Sequence, residues 1–257
     1  MYDYASVLLN GACNANCPDC IGKRTEFRGL PDNLNTFPLR GIEKFYGSVE
    51  DEGIRYISIS GIFADPQQYQ YEGRLITQIR KNIPDAILAL HTNGLLALEK
   101  SDEFNMYDRT TLSFPSFNKD VYRKLVRKEQ PNLSEIIKMS DIPIKLSMLL
   151  TSDTKRDVDE YIRRAKDLGI TRIVARKIFD GKRENINIFE ERLPDLEFAG
   201  NPVYMVDGME ITVWDYGISQ IRGLHLFPDG SIKDKFMEIE CEKDEPKNQE
   251  DVGHRDK

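Results

Sequence analysis

Short apolar runs alternate with segments of helical period along the chain as far as Arg176. Runs of this length are typical of buried strands, and apolar residues that recur every three or four positions are typical of amphipathic helices. The predicted strands are Ala5–Leu9, Tyr56–Ser60, Ile87–His91, Thr110–Ser113, Ile144–Leu150 and Arg172–Arg176. The predicted helices are Leu39–Glu52, Glu72–Asn82, Leu95–Ser101, Lys119–Arg127, Leu133–Met139 and Asp153–Leu168.

This order predicts six strand-helix units, a parallel sheet and right-handed crossovers. Six such units suit a partly closed barrel, so we expect an α/β fold: a partial (β/α)6 TIM-like barrel with a small β-rich C-terminal extension. Chemistry in such barrels gathers at the carboxyl ends of the strands. We therefore look for candidate site residues at those ends.

After Arg176 the pattern changes to one short helix candidate followed by short strands. The helix candidate is Ile188–Phe198, and the strand candidates are Val203–Met205, Glu210–Asp215, Gly223–Phe227 and Ile232–Phe236. We expect a barrel core over residues 1–190 and a β-rich extension over residues 191–240. The charged sequence from Glu238 onward has few apolar residues, which predicts an unfolded acidic tail over residues 241–257.

Charge and hydropathy narrow the classes of function. The chain has 257 residues and a formal net charge of −7, which argues against nonspecific nucleic-acid binding. The N-terminus has no basic stretch followed by an apolar region, and no apolar run reaches the ~20 residues that a membrane span needs. We expect a cytoplasmic protein that does not contact a membrane.

Three cysteines, Cys13, Cys17 and Cys20, follow the first predicted strand with the spacing CxxxCxxC. This spacing can hold three irons of a cubane cluster and leave the fourth iron free to bind a small molecule through an amine and a carboxylate. Zinc and a disulfide are the alternatives. Zinc sites usually pair two knuckles and a disulfide would leave an odd thiol, whereas the other Cys and His residues are scattered. These are Cys241, His91, His225 and His254.

The spacing of the cysteines and their place after a strand resemble the radical S-adenosylmethionine (radical SAM) superfamily. The resemblance implies a [4Fe-4S] cluster on Cys13, Cys17 and Cys20, with S-adenosyl-L-methionine (SAM) on the open iron. It also implies reductive cleavage of SAM to a 5'-deoxyadenosyl radical that abstracts hydrogen from a substrate. An aromatic residue often precedes the last cysteine in that superfamily, whereas this chain has Asp19, whose backbone would have to supply any contact with adenine.

The end of the second predicted strand, Ile57–Pro66, resembles the Gly-Gly-Glu-Pro segment of the superfamily. Gly61 stands for one of the glycines, and the Glu-Pro step is displaced to Asp65-Pro66. The resemblance implies that the backbone at Gly61 approaches the cofactor closely. A simple turn is the alternative reading of this segment.

The third and fourth predicted strands end in segments that also resemble the superfamily, His91-Thr-Asn-Gly94 and the run from Ser113 to Lys124. By that resemblance Ser113 and Asn93 are cofactor-binding candidates, and Thr92 faces the substrate cavity. Helix capping is the alternative role for such side chains.

The fifth predicted strand resembles that of the enzymes that make the first molybdopterin precursor from GTP, in which a lysine contacts substrate. Lys145 is therefore a substrate-binding candidate, and Arg176 at the end of the sixth strand is a cofactor-binding candidate suited to a carboxylate or phosphate. The cysteines of an auxiliary cluster are missing, because Asp234 and Lys235 occupy the region where such a cysteine would lie.

These features favour a radical SAM enzyme that acts on a small polar metabolite, a nucleotide or a biosynthetic intermediate. A flavodoxin or ferredoxin electron donor is expected to dock near Lys23, Arg24 and Arg28. Two alternatives remain: an activase or peptide-modifying enzyme that acts on a protein partner, and a metal-stabilised binding module without enzymatic activity.

Overall fold

The computed structural model describes residues 2–178, 186, 188–189 and 192–236. Its strands are β1 (Tyr4–Leu9), β2 (Tyr56–Gly61), β3 (Ile87–Thr92), β4 (Arg109–Ser113), β5 (Ile144–Leu150), β6 (Arg172–Lys177), β7 (Leu196–Phe198), β8 (Asn201–Val206), β9 (Met209–Trp214), β10 (Gly223–Leu226) and β11 (Ile232–Lys233). Its α-helices are α1 (Ile42–Asp51), α2 (Glu72–Asn82), α3 (Ser101–Phe104), α4 (Lys119–Val126), α5 (Leu133–Met139), α6 (Ser152–Lys155) and α7 (Val158–Asp167). All six strands predicted before Arg176 are confirmed.

The strands form one sheet in the order β11-β10-β1-β2-β3-β4-β5-β6-β9-β8-β7. Strands β10, β1 to β6 and β9 are neighbours in that order and pair in parallel. The antiparallel pairs lie at the two edges of the sheet: β11 with β10, β7 with β8, and β8 with β9. Because β1 to β6 are neighbours in chain order, right-handed crossovers place their helices on one face of the sheet. We call the opposite face the inner face.

The core lies between the helices and the outer face of the sheet. Every second strand residue, such as Ile57 and Ile59 of β2 or Leu88 and Leu90 of β3, is fully buried there. The helices contribute the apolar side of each amphipathic repeat, for example Phe45 of α1. The residues that alternate with these strand positions therefore point to the inner face.

The predicted fold class is confirmed as a mixed α/β fold with a large parallel sheet and helices. The sheet is open, because β11 and β7 are its two edges and do not pair with each other. A closed TIM-like barrel is therefore not formed by the part of the chain that the structure describes.

The β-rich C-terminal extension is part of the main sheet. Strand β10 pairs in parallel with β1 and β9 pairs in parallel with β6, so the segment extends the main sheet at both ends. At one seam the Ser6 hydroxyl lies 2.6 Å from His225 Nδ1 in a buried contact. The domain bounds at residues 190 and 240 stay predictions.

Three predicted helices need correction. The helix predicted over Ile188–Phe198 is wrong where the structure describes it, because Leu196–Phe198 is strand β7. Pro194 cannot donate a helical hydrogen bond and restricts the residue before it. The helix predicted at Leu95–Ser101 is a series of turns that leads into α3, and the one predicted at Asp153–Leu168 is divided into α6 and α7.

Within the described ranges, no helix has the length and apolar character that crossing a bilayer requires. The acidic tail predicted from Glu238, together with Cys241 and His254, lies outside the described residues.

Candidate active site

The three cysteines lie in the loop that follows β1. The loop ends at Cys20, which precedes a short 3-10 helix, Ile21–Lys23. All three thiols are free and half-buried. The Cys13 sulfur accepts the amide of Ala15 at 3.4 Å, and the Cys17 and Cys20 sulfurs lie 4.0 and 3.9 Å from the carbonyl oxygens of Val126 and Ile62. The loop is therefore packed between the end of α4 and the end of β2.

Burial, followed by the charges of Cys20 and Cys13, raises the pKa of the Cys17 thiol to about 11. Burial also raises the pKa of Cys13, with smaller contributions from Asp65 and Cys20. Such mutual effects require the three sulfurs to be close together. Bound iron would reverse this balance, because a coordinating thiol is deprotonated by the metal's charge.

The donor set fits an iron-sulfur cubane. Among the described residues, no three His, Cys, Asp or Glu side chains are gathered closely enough around one point to hold a single ion. Cysteine thiolates are the ligands that hold iron-sulfur clusters, and three free thiols stand on one short loop here.

The side chain of Gln68 fastens the cysteine loop to the segment after β2. Its Oε1 atom accepts the amides of Asn14 at 2.9 Å and Asp65 at 3.1 Å, and its Nε2 atom donates to the carbonyl oxygen of Ala12 at 2.9 Å. Asp65 begins a short 3-10 helix, Pro66–Gln68, with a capping box and a proline in the first turn. The Asp-Pro-x-Gln sequence is a readable signal for that cap.

The carboxylate of Asp65 organises the carboxyl end of β3. It accepts hydrogen bonds from the Thr92 hydroxyl at 2.9 and 3.0 Å, from the Asn93 amide at 2.6 Å and from the Gln67 amide at 3.1 Å. Burial raises the pKa of Asp65, while these donors act in the opposite direction. Thr92 is itself buried, so its hydroxyl serves this network, and the substrate contact predicted for it stays a prediction.

The Asp65 segment is supported by a buried ion pair behind it. The Lys100 ammonium lies 2.5 Å from Glu72 Oε2 and donates to the carbonyl oxygens of Gln67 and Tyr69. The Tyr107 hydroxyl donates to the other oxygen of Glu72 at 3.0 Å. Burial raises the pKa of Glu72 to about 7 despite these partners.

The predicted cofactor residues are brought to one end of the sheet. The Asn93 side chain donates to Asn14 Oδ1 at 2.7 Å, which joins the end of β3 to the cysteine loop. Gly61 ends β2, Ser113 ends β4 with a half-exposed side chain, and Asp19 is exposed within the cysteine loop. A Cβ on Gly61 would lie 1.7 Å from the carbonyl oxygen of Ala64, so the close approach there is made by the chain itself.

The other two candidates, Lys145 and Arg176, lie on the inner face of β5 and β6. Parallel strands covered on both faces are apolar on both, whereas here the inner face is polar. Two registered pairs on the inner face of β4 and β5 are polar: Thr111 with Lys145, and Ser113 with Ser147. Arg176 is registered with Trp214 of β9.

His91 was not predicted as a site residue, although its sequence neighbours were. It lies on the inner face of β3, where solvent still reaches its ring. The surrounding protein, followed by the charges of Arg176 and Lys145, lowers the pKa of His91. Gln68 and Asn14 were also missed, because the partners of a polar loop side chain depend on how the loops fold together.

No protein-family model and no curated protein matches this sequence. Solved structures do match in three dimensions. Streptococcus suis SuiB bound to the precursor peptide SuiA superposes with a TM-score of 0.55 and 14% identity, over 69% of this chain and 40% of SuiB. The anSMEcpe protein with bound AdoMet and Cp18Cys peptide gives a TM-score of 0.54 and 17% identity, over 70% of this chain and 54% of its own.

The chain has the fold of radical SAM enzymes. SuiB bound to S-adenosylmethionine also matches, with a TM-score of 0.53, 12% identity and coverage of 71% of this chain and 41% of SuiB. This chain therefore spans between 40% and 54% of the length of these proteins. The likeness confirms, at the level of the fold, the resemblance inferred from the cysteine spacing.

Proposed function

We propose that this protein is a radical SAM enzyme whose partial (β/α)6 barrel binds a [4Fe-4S] cluster through Cys13, Cys17 and Cys20. The observation that carries the proposal is the set of three free, mutually interacting thiols after β1. The fold shared with AdoMet-bound proteins supports it. Such a cluster, with SAM at its open iron, would supply the one electron that breaks a carbon-sulfur bond of SAM and gives methionine and a 5'-deoxyadenosyl radical.

The chain's own contribution is to hold the cysteine loop in place. Gln68 bonds the backbone of the cysteine loop at Ala12 and Asn14, and Asn93 donates to the side chain of Asn14. Buried Asp65 keeps Thr92 and Asn93 in place at the end of β3. Gly61 and Ser113, at the ends of β2 and β4, stand beside the loop as the predicted cofactor contacts, together with the backbone of Asp19.

The test is reconstitution with iron and sulfide under anaerobic conditions, followed by reduction with dithionite in the presence of SAM. We expect ~4 iron atoms per chain, the content of one cubane, and release of 5'-deoxyadenosine. Cys17→Ser should lose the iron and the product. Cys241→Ser is the control and should retain both. Stoichiometric zinc with no 5'-deoxyadenosine would favour the non-enzymatic binding module.

The substrate is either a small polar metabolite or a peptide. Two comparisons favour the second: SuiB was solved with the precursor peptide SuiA, and anSMEcpe with the Cp18Cys peptide. The two classes separate when candidates labelled with deuterium are supplied. If deuterium appears in the released 5'-deoxyadenosine only after a partner protein or peptide is added, the protein is a peptide-modifying enzyme or an activase.

We also propose that an acidic flavodoxin or ferredoxin reduces the cluster by docking near Lys23, Arg24 and Arg28 in a cytoplasmic setting. The structure shows that two of these cations have partners: Lys23 donates to the carbonyl oxygen of Cys17 at 2.6 Å, and Arg24 pairs with Glu26 at 2.8 Å. Replacing all three by Ser should slow reduction by the protein donor more than reduction by dithionite. Equal slowing would contradict a docking role.

A further inference from the structure

The stagger of the strands brings together side chains that are far apart in sequence. Thr111 of β4 is the registered partner of His91 on one side and of Lys145 on the other. His91 is near the carboxyl end of its strand and Lys145 is near the amino end of its own. All three residues point to the inner face at the same level, because registered partners in a parallel sheet share a face.

Arg176 lies on the same face of β6, where it is registered with Leu149, four residues beyond Lys145 toward the carboxyl ends of the strands. Strand β6 is three strands away from β3 in the sheet. Its charge is the largest charge effect on His91, followed by that of Lys145. Arg176 and Lys145 also interact with each other, since the Arg176 charge lowers the pKa of Lys145. The three side chains therefore converge across the inner face.

The neighbouring cations have partners. Arg172 contacts Glu210 at 2.6 and 3.0 Å, Lys177 contacts Asp215 at 3.1 Å, and Arg109 lies over the ring of Tyr56 at 5.0 Å. Lys145 and Arg176, by contrast, make no side-chain hydrogen bond or ion pair with any residue that the structure describes.

Lys145 and Arg176 are half-buried, and partial removal from water disfavours a charge unless an opposite charge compensates it. Glu210, the carboxylate whose charge acts on Lys145, is already bound by Arg172. His91, with its low pKa, is neutral at pH 7 and adds no third charge. Such a site is complete only when an anion occupies it.

We propose that His91, Lys145 and Arg176 form one anion-binding site on the inner face and that the substrate presents a carboxylate or phosphate group to it. Lys145 and Arg176 provide the charge, and the neutral ring of His91 provides a hydrogen-bond donor or acceptor. This inference rests on the proposed function and narrows its substrate class. It moves Arg176 from the predicted cofactor contacts to the substrate contacts.

Trp214, the only tryptophan of the chain, reports on this site because it is registered with Arg176 on the adjacent strand. Reconstituted protein is titrated with succinate, inorganic phosphate and pyrophosphate, at constant ionic strength in chloride, while tryptophan fluorescence is recorded. We expect saturable binding of at least one anion. Lys145→Met and Arg176→Met should each weaken it by about tenfold or more, the effect of losing one charge-assisted contact.

Lys44→Met is the matched control, because Lys44 is an exposed lysine on α1, and it should bind with wild-type affinity. Lys145→Arg preserves the charge and should retain most of the binding. Far-UV circular dichroism of each variant identifies a folding defect. If Lys145→Met does not fold, the comparison of Arg176→Met with wild type decides the result.

Three results would overturn the inference: no binding beyond that of chloride, equal affinity in wild type and Lys145→Met, or complete loss of anion binding when SAM saturates the protein. The last result would assign the site to the cofactor's own carboxylate. Release of 5'-deoxyadenosine by wild type, measured on the same preparation, separates the two proposals. If the protein cleaves SAM but binds no anion, only the present inference fails.

Discussion

Gly22 packs directly against the backbone of Ile62. A Cβ placed on Gly22 would lie 2.3 Å from the carbonyl oxygen of Ile62 and 2.7 Å from its carbonyl carbon. The same carbonyl oxygen is the one that the Cys20 sulfur approaches. Directly after the cysteine loop, the chain therefore contacts the end of β2 through a position that tolerates no side chain.

Gly22→Ala should displace the loop and destabilise the fold, because the contact is with backbone that cannot rotate away. We expect a loss of about 1–3 kcal/mol in the free energy of unfolding, as for other overpacked sites, together with a lower iron content after reconstitution. Gly47→Ala is the control, since Gly47 lies within α1 with no atom near its missing side chain. It should stabilise the protein by ~0.5–1 kcal/mol. Equal stability of the two variants would contradict this packing.

Thr92→Val tests whether the Thr92 hydroxyl is structural. The substitution keeps the shape of the side chain and removes the donor to Asp65. We expect a loss of about 1 kcal/mol, the net value of one hydrogen bond, measured by urea unfolding. Asp65→Ala should cost roughly 3 kcal/mol, because it removes charge-assisted bonds to three donors. Unchanged stability of Thr92→Val with weaker substrate binding would assign Thr92 to the substrate instead.

Lys100→Met leaves Glu72 buried without its cation. Removing one partner of a buried pair costs about 3–5 kcal/mol, so this variant should unfold at a much lower urea concentration. The double variant with Glu72→Gln should recover part of the loss, because no isolated charge remains. Arg55→Met is the control: its pair with Asp85 is exposed, and its loss should cost less than ~1 kcal/mol. No recovery in the double variant would contradict the assigned role of Glu72.

Succinate binding should depend on pH through Lys145. Burial, followed by the charges of Arg172 and Arg176, lowers the pKa of Lys145 to about 8, while Glu210 acts in the opposite direction and Arg109 in the same one. Lys145 is therefore protonated below that pH and neutral above it. Over the pH range in which both carboxylates of succinate are ionised, affinity for succinate should be constant below about pH 8 and fall above it.

Lys145→Arg is the control for this pH dependence, because an arginine stays protonated throughout the range. Its affinity should remain constant where that of the wild type falls. A parallel fall in both proteins would show that another group controls binding.

The first six strands were predictable because a short apolar run is a local property of the sequence. The cysteine loop was predictable for the same reason, since its three thiols lie within eight consecutive residues. The joining of β10 to β1 was not, because it pairs residues as distant as Ser6 and His225. His91 and Lys145 were likewise not predictable as neighbours. They lie at the same level only because β3 pairs with β4 and β4 pairs with β5 in a particular register, which no local pattern encodes.

The electron paramagnetic resonance spectrum of the reduced, reconstituted protein, recorded with and without SAM, tests the open iron most directly. If the amine and carboxylate of SAM bind an iron that Cys13, Cys17 and Cys20 leave free, the spectrum of the reduced cluster changes when SAM is added. An unchanged spectrum at saturating SAM would contradict the proposed chemistry.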